Sequence, residues 1–272
     1  MKIAALQMVS GSDVPTNLQT AIGLLKQAAE AGAELVVLPE YFCLMGMHDS
    51  DKLASQEPYG AGPLQTFLSD AARSLGIWLV GGTIPISTHQ PDRIFNTSLA
   101  YNPQGECVAR YDKIHLFRFD SGTESYNEAR VLQAGTLPVQ FDLPSIDKHT
   151  WKIGLSVCYD LRFAELYRIH ARAGADLMLV PSAFTHTTGQ AHWEVLLRAR
   201  AIENLSYVVA SAQGGQHQNG RHTWGHSMAI DPWGRVLAVQ EQGAGMVVAE
   251  LQPNQLARCR QQLPALQHRV LP

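Results

Sequence analysis

The chain has 272 residues, 46% hydrophobic and 17% charged, with a formal net charge of -3. That length allows one large domain or two average ones, and the composition suits a filled globular core. No run of Lys or Arg exceeds two, so nothing follows a phosphate backbone, and apolar runs such as Leu35 to Leu38 are far too short to span a bilayer. Neither nucleic acid nor membrane is therefore expected as a partner. The four cysteines (Cys43, Cys107, Cys158, Cys259) are scattered without paired spacing. This argues against a zinc site and a disulfide scaffold, so neither metal nor cofactor is expected. A reducing cytoplasm is the natural setting.

Lys2 to Val9 reads as a first strand rather than a targeting signal. Asp13 and Thr16-Asn17 offer caps for a helix whose face carries Leu18, Ile22, Leu25 and Ala29 and which ends at Ala31-Gly32. Glu34 to Glu40 is a nearly continuous apolar run, as in a strand buried on both faces. A helix over Pro63 to Leu75 and a strand over Ile77 to Gly81 follow. Phe95 to Tyr101, the turn Asn102-Pro-Gln-Gly105 and Glu106 to Tyr111 form a hairpin. Residues 114 to 135 are long, polar and irregular, with Ser121-Gly122 in the middle, which marks a functional or mobile loop.

Trp151 to Leu166 begins as a strand and ends as a helix, with Cys158 at the change. A cysteine near the positive end of a new helix is expected to favour the thiolate; a small buried thiol is the bland alternative. Asp176 to Pro181 repeats the buried strand. Residues 190 to 205 form a helix with Trp193, Leu197, Ala201 and Leu205 on one face. Strand Tyr207 to Ala212 leads to a second hairpin, Gly225 to Ile230 and Arg235 to Gln240 around Asp231-Pro-Trp-Gly234. Strand Met246 to Leu251, a helix from Pro253 to Leu263 and a tail, 264 to 272, complete the chain. The two halves share this order of elements, and no linker separates them. One domain over 1–272 is expected, its two sheets packed face to face with helices outside: an α/β fold in four layers. The tail is a candidate for packing on a neighbouring subunit.

Glu40, Lys113 and Cys158 each close a strand, and in open α/β sheets the carboxyl ends of strands gather at one edge. Together they make a hydrolytic set. A carboxylate can take the thiol proton and return one to a departing amine. A lysine and the Tyr159 backbone N–H can hold an oxyanion. Singly, Glu40 reads more readily as a helix cap and Lys113 as a solvated charge; their joint placement favours the catalytic set.

Three stretches resemble the nitrilase superfamily of carbon–nitrogen hydrolases: Leu38-Pro-Glu40-Tyr-Phe, Lys113-Ile-His-Leu-Phe117 and Gly154-Leu-Ser-Val-Cys158-Tyr-Asp-Leu-Arg-Phe-Ala-Glu165. The resemblance covers nearly the whole chain. It implies the αββα sandwich, a Glu40–Lys113–Cys158 triad and a thioester intermediate. A second family glutamate maps onto Glu128, seven residues before Gly135, with the implied role of orienting Lys113 and a substrate nitrogen. It also implies a homodimer or higher oligomer stacked across the helix after the cysteine.

Pro181-Ser-Ala-Phe-Thr185, Thr188 to Glu203 and Gly225 to Gly234 are similar to the Nit amidases, nearest the deaminated glutathione amidase group. The implied reaction takes deaminated glutathione to 2-oxoglutarate and Cys-Gly. The alternatives are an omega-amidase acting on 2-oxoglutaramate or 2-oxosuccinamate, a nitrilase, and a silent partner-binding scaffold, against which the intact triad speaks. A thiol-redox role lacks a resolving cysteine near Cys158. Small amide substrates of this branch carry carboxylates. Arg162, Thr185, His186 and His192 are the candidate anchors, although Arg162 could instead tie down Asp160 or Glu165, and His192 could simply pack at a helix start. His217, Arg221 and His222 lie in a Gly-rich stretch that could reach the mouth of the pocket. Arg118 to Asn127 departs from the branch's usual wording, which touches specificity alone.

Overall fold

The computed structural model describes residues 1–120, 122 and 125–270. Ser121, which the sequence reading placed mid-loop, and the last two residues of the tail lie outside them. The first half of the chain runs β1 (Lys2–Gln7), α1 (Val14–Glu30), β2 (Leu35–Val37), α2 (Asp51–Ala54), α3 (Pro63–Leu75), β3 (Trp78–Val80), β4 (Ile84–Ser87), β5 (Ile94–Tyr101) and β6 (Cys107–Asp112). A short hairpin, β7 (Arg118–Asp120) and β8 (Ser125–Asn127), precedes β9 (Gln140–Pro144) and β10 (Thr150–Leu155). The rest comprises α4 (Ala164–Arg172), β11 (Leu177–Leu179), α5 (His186–Asn204), β12 (Tyr207–Ala210), β13 (Ser227–Ile230), β14 (Val236–Gln240), β15 (Gly245–Glu250) and α6 (Pro253–Gln262).

The strands form two large sheets. One has the order β15-β1-β2-β3-β5-β4, with β6 on β5; the other is β14-β13-β12-β11-β10-β9. Strands β1, β2 and β3 are parallel, as are β10, β11 and β12. The inner faces meet in one core, where Ile3, Leu35 and Tyr111 of the first sheet join Trp151, Ile153 and Leu177 of the second. The outer face of the first sheet buries Val36 and Leu79 against Leu25 of α1 and Leu68 of α3. Trp193 and Leu197 of α5 cover the second sheet. The four-layer αββα sandwich follows directly from this arrangement.

Local chemistry explains the boundaries. Asp13 caps α1 through the Thr16 N–H, and Pro63 opens α3, where a missing N–H costs nothing. The expected strand up to Glu40 stops at Val37. Pro39 cannot donate to a ladder, and the chain turns there to present Glu40. Gly82 makes that turn possible: its φ is +51°, and a Cβ would collide with the Pro39 carbonyl.

Three differences from the sequence reading stand out. The final strand does not complete the second half. It crosses to the first sheet and pairs antiparallel with β1 from Lys2↔Glu250 to Gln7↔Gly245. The polar stretch after Lys113 is not wholly irregular, since β7 and β8 pair and Glu128–Arg130 makes a 3-10 turn. Helix α5 begins at His186, capped by Thr185, so His192 lies two turns in and not at a helix start. In the tail, Leu266 packs on the chain's own core.

Candidate active site

The C-terminal ends of β2, β6 and β10 converge. Glu40 lies three residues beyond β2, Lys113 directly after β6 and Cys158 three residues beyond β10. All three are buried. Tyr41 (φ +57°) and Cys158 (φ +50°) both adopt the left-handed conformation, a strain that surrounding structure must hold in place. Gly135 packs so closely on Asp112 that a Cβ would strike its carbonyl, and its N–H bonds the Lys113 carbonyl at 2.9 Å. The far end of the polar loop is thereby anchored beside the lysine.

The polar groups interlock. Lys113 Nζ donates to Glu40 Oε1 at 2.9 Å and to Glu128 at 3.0 Å (Oε1) and 2.9 Å (Oε2). Glu40 Oε1 also accepts from Asn96 Nδ2 at 2.9 Å, and its Oε2 accepts from the Ala183 N–H at 2.9 Å. Glu128 accepts from the Tyr41 hydroxyl at 2.9 Å and the Phe117 N–H at 2.7 Å. Its acceptor sites are thus largely filled.

Burial alone would lower the Lys113 ammonium, but Glu128, Glu40 and Cys158 outweigh it and hold it well above its ordinary value. Burial would raise Glu128, but Lys113 and the Phe117 N–H bring it below the usual carboxylate range. The Cys158 thiol is pushed well up, first by burial and then by Glu40, with Lys113 opposing. The expectation of a helix-stabilised thiolate is therefore corrected. The segment after Cys158 is a 3-10 turn over Cys158–Arg162, and α4 starts only at Ala164. α4 therefore does not begin at the sulfur, and a neighbouring carboxylate disfavours its negative charge.

A recess of about 210 Å³ opens over Cys158. Tyr159, Arg162 and Thr185 line it, as do Phe117, Phe184 and Thr188, which the sequence reading did not single out. His186 and His192 do not. His186 stacks on His222 with ring centres 4.2 Å apart and meets Trp224 edge-on. His192 is exposed and accepts from Arg162 Nη1 at 3.2 Å, so it braces the guanidinium from outside. Arg162 forms no ion pair with Asp160 or Glu165. Its guanidinium lies over Phe184 (5.3 Å) and Tyr159 (5.7 Å).

Sequence reasoning also missed Asn96, Tyr41 as a partner of Glu128, and the support under the cysteine turn. Asp160 holds that turn by accepting from the Val157 N–H at 2.9 Å and the Tyr111 hydroxyl at 2.6 Å. The available signal for Asn96 was a polar residue in a strand otherwise buried on both sides. Chemically, the site pairs a protonated thiol with a carboxylate able to receive its proton and an ammonium fixed beside both.

Known proteins resemble the chain over almost its whole length. The profile of the family described as carbon-nitrogen hydrolase matches residues 2–261. The deaminated glutathione amidase of Synechocystis sp. is 43% identical over 270 residues, covering 98% of this chain and 97% of that protein. The human protein of the same name is 40% identical over 271 residues, covering 98% and 81%. Saccharomyces cerevisiae Nit3, described as a member of branch 10 of the nitrilase superfamily, superposes with a TM-score of 0.88 at 33% identity, over 100% of this chain and 97% of that one.

Proposed function

The chain belongs to the carbon–nitrogen hydrolase family, and from that premise we propose that it hydrolyses a linear amide through a thioester on Cys158. The observation that carries this reading is the Lys113 ammonium, held at 2.9 Å from Glu40 and from Glu128 beside a protonated, buried thiol. Glu40 takes the Cys158 proton as the sulfur attacks the amide carbon. Lys113 and the Tyr159 N–H hold the resulting oxyanion. Collapse breaks the C–N bond, and the proton on Glu40 leaves with the amine. Glu40 then deprotonates a water that attacks the thioester, which releases the acid and restores the thiol. Glu128 keeps Lys113 charged and faces the leaving nitrogen.

The substrate best supported is deaminated glutathione, cleaved to 2-oxoglutarate and Cys-Gly. The support is the likeness to amidases of that name and an arginine in the recess, Arg162, which forms no ion pair among the described residues. A guanidinium fork suits the carboxylate of a 2-oxo acid. Side-by-side assays of deaminated glutathione, 2-oxoglutaramate and a simple nitrile test the assignment. Faster turnover of deaminated glutathione is expected. Preference for 2-oxoglutaramate would replace the substrate and keep the chemistry, whereas a fully active Cys158→Ala variant would overturn the chemistry itself.

The same reading includes a homodimer in the cytoplasm. Ile169 is exposed and apolar on α4, the helix expected to meet a second copy, and so are Val195 and Ile202 on α5, which packs beside it. Sedimentation giving a monomer at micromolar concentration would refute the dimer. Among the described residues, no helix is long and apolar enough to cross a membrane.

A further inference from the structure

An arginine stands at each end of one aromatic row. From Arg162 the row passes over Tyr159, with the guanidinium carbon 5.7 Å from the ring centre, to Phe117 with ring centres 5.2 Å apart. It continues to Tyr126 at 5.9 Å and ends under Arg221, whose guanidinium carbon is 4.7 Å from the Tyr126 ring. Tyr159 and Phe117 line the recess beside Cys158, so the row passes the nucleophile.

Among the described residues, Arg221 forms no ion pair. Its side chain reaches only the Met45 sulfur, at 3.9 Å, and the Tyr126 face. Stacking on a ring leaves the N–H donors of the guanidinium plane free for an anion. A second cation stands close by. The buried Lys52 ammonium lies 4.1 Å above the Tyr41 ring, and among the described residues its ion-pair partner is Asp49, at 3.9 Å. Burial and then the charge of Arg221 pull that ammonium below its ordinary value, so the two cations oppose each other. Glu128, Asp49 and Glu40 offset part of that repulsion, although Glu128 is also held by Lys113, Tyr41 and the Phe117 N–H. A buried ammonium paired at 3.9 Å and a half-buried guanidinium that forms no ion pair among the described residues are stabilised by an arriving anion.

The position of Arg221 sets which part of the substrate it meets. Its charge reaches the Tyr41 hydroxyl, which bonds Glu128. Glu128 and Glu40 are the groups assigned above to the leaving nitrogen, so Arg221 lies on the amine side of the scissile bond and Arg162 on the other. We infer that Arg221, backed by Lys52, binds a carboxylate carried by the departing amine, so that the preferred substrates are amides with an acidic group on each side of the C–N bond. This deepens the proposed function and rests on it.

Steady-state kinetics of Arg221→Gln on two substrates test the inference. Deaminated glutathione carries a carboxylate on its amine portion; the leaving group of 2-oxoglutaramate is ammonia, which carries none. Loss of a charge-assisted pair is expected to raise KM for deaminated glutathione about tenfold more than for 2-oxoglutaramate, with kcat for both within about twofold of wild type. Arg221→Lys, which keeps the charge without the fork, is expected to fall between. Equal penalties on both substrates, or none on either, would overturn the inference even with the wild type active on deaminated glutathione. A wild type that releases neither Cys-Gly nor ammonia would overturn the underlying reading as well, and that arm alone distinguishes the two failures.

Discussion

Asp160 holds His115 twice, accepting from its backbone N–H at 2.9 Å and bonding its ring Nδ1 at 2.7 Å. The other carboxylate oxygen holds the Tyr111 hydroxyl and the Val157 N–H. Through this one fully buried carboxylate, the segment carrying Lys113 is tied to the turn carrying Cys158. The His115 ring stacks on Phe163, centres 3.7 Å apart, on the far side of the same turn. Asp160→Asn keeps the shape but turns an N–H₂ toward donors. Losing charge-assisted bonds in a buried place costs about 2–3 kcal/mol. The expected melting shift is a fall of about 5 °C or more by calorimetry, with kcat down about tenfold because lysine and cysteine lose their common support. An unchanged kcat with a lowered melting point would confine Asp160 to stability.

The Cys158 thiol is raised, and this has a direct spectroscopic reading. A cysteine carried as a thiolate at neutral pH absorbs near 240 nm, and the difference between wild type and Cys158→Ala isolates it. No thiolate signal from Cys158 is expected at pH 7, and its rise should begin only above the ordinary thiol range, about pH 8.5. A signal already full at pH 7 would mean a preformed ion pair with Lys113, and the proton-transfer role given to Glu40 would fall.

Much of this was legible in the chain, and the legible parts share a cause. The turns Asn102-Pro-Gln-Gly105 and Asp231-Pro-Trp-Gly234 are local. Asn102 Oδ1 accepts from the N–H groups of Gln104 and Glu106, Asp231 Oδ1 from those of Trp233 and Arg235, and Gly105 and Gly234 supply positive φ. The convergence of Glu40, Lys113 and Cys158 could be read because each follows the end of a strand. What escaped was non-local. The pairing of β15 with β1 joins residues about 250 positions apart, and nothing in either strand names its partner. Strands β4 and β9 are short and lean on neighbours rather than on their own alternation. Asn96 and Asp160 acquire their roles from groups 56 and 49 positions away. The Cys158 thiolate failed for a related reason. Its protonation is governed first by burial and then by Glu40 from the other sheet, not by the turn in which it sits.

The two roles proposed for Lys113 separate by substitution. As an oxyanion donor its loss should cost on the order of 10²–10³ in kcat. As the cation between Glu40 and Glu128, its loss leaves two buried carboxylates with diminished support, and at least one should take up a proton. Lys113→Met is therefore expected to be nearly inactive at pH 7 and to gain stability relative to wild type as pH falls. Melting curves between pH 5 and 8 check this. A Lys113→Met deficit that does not shrink toward pH 5 would show that Glu40 and Glu128 do not depend on the lysine for their charge.

The chain's first residue is tied to the second sheet, and that tie depends on pH. The Met1 ammonium donates to Asp147 Oδ2 at 2.7 Å, and the His149 N–H donates to Oδ1 at 2.9 Å. Slight burial opposes the charge, but these donors hold the Asp147 carboxyl at about 2. A folded-state value below the unfolded one adds stability that is full above the ordinary aspartate range and is lost as pH falls toward the folded value. Asp147→Asn should therefore lower the melting temperature at pH 7 and match wild type as pH approaches 2, provided both remain folded enough to melt. Partial melting curves at pH 3, between the ordinary aspartate value and about 2, should already show the gap closing. A gap constant from pH 7 to pH 3 would mean that the Asp147 carboxylate contributes through shape and hydrogen bonding alone, with no linkage to its charge.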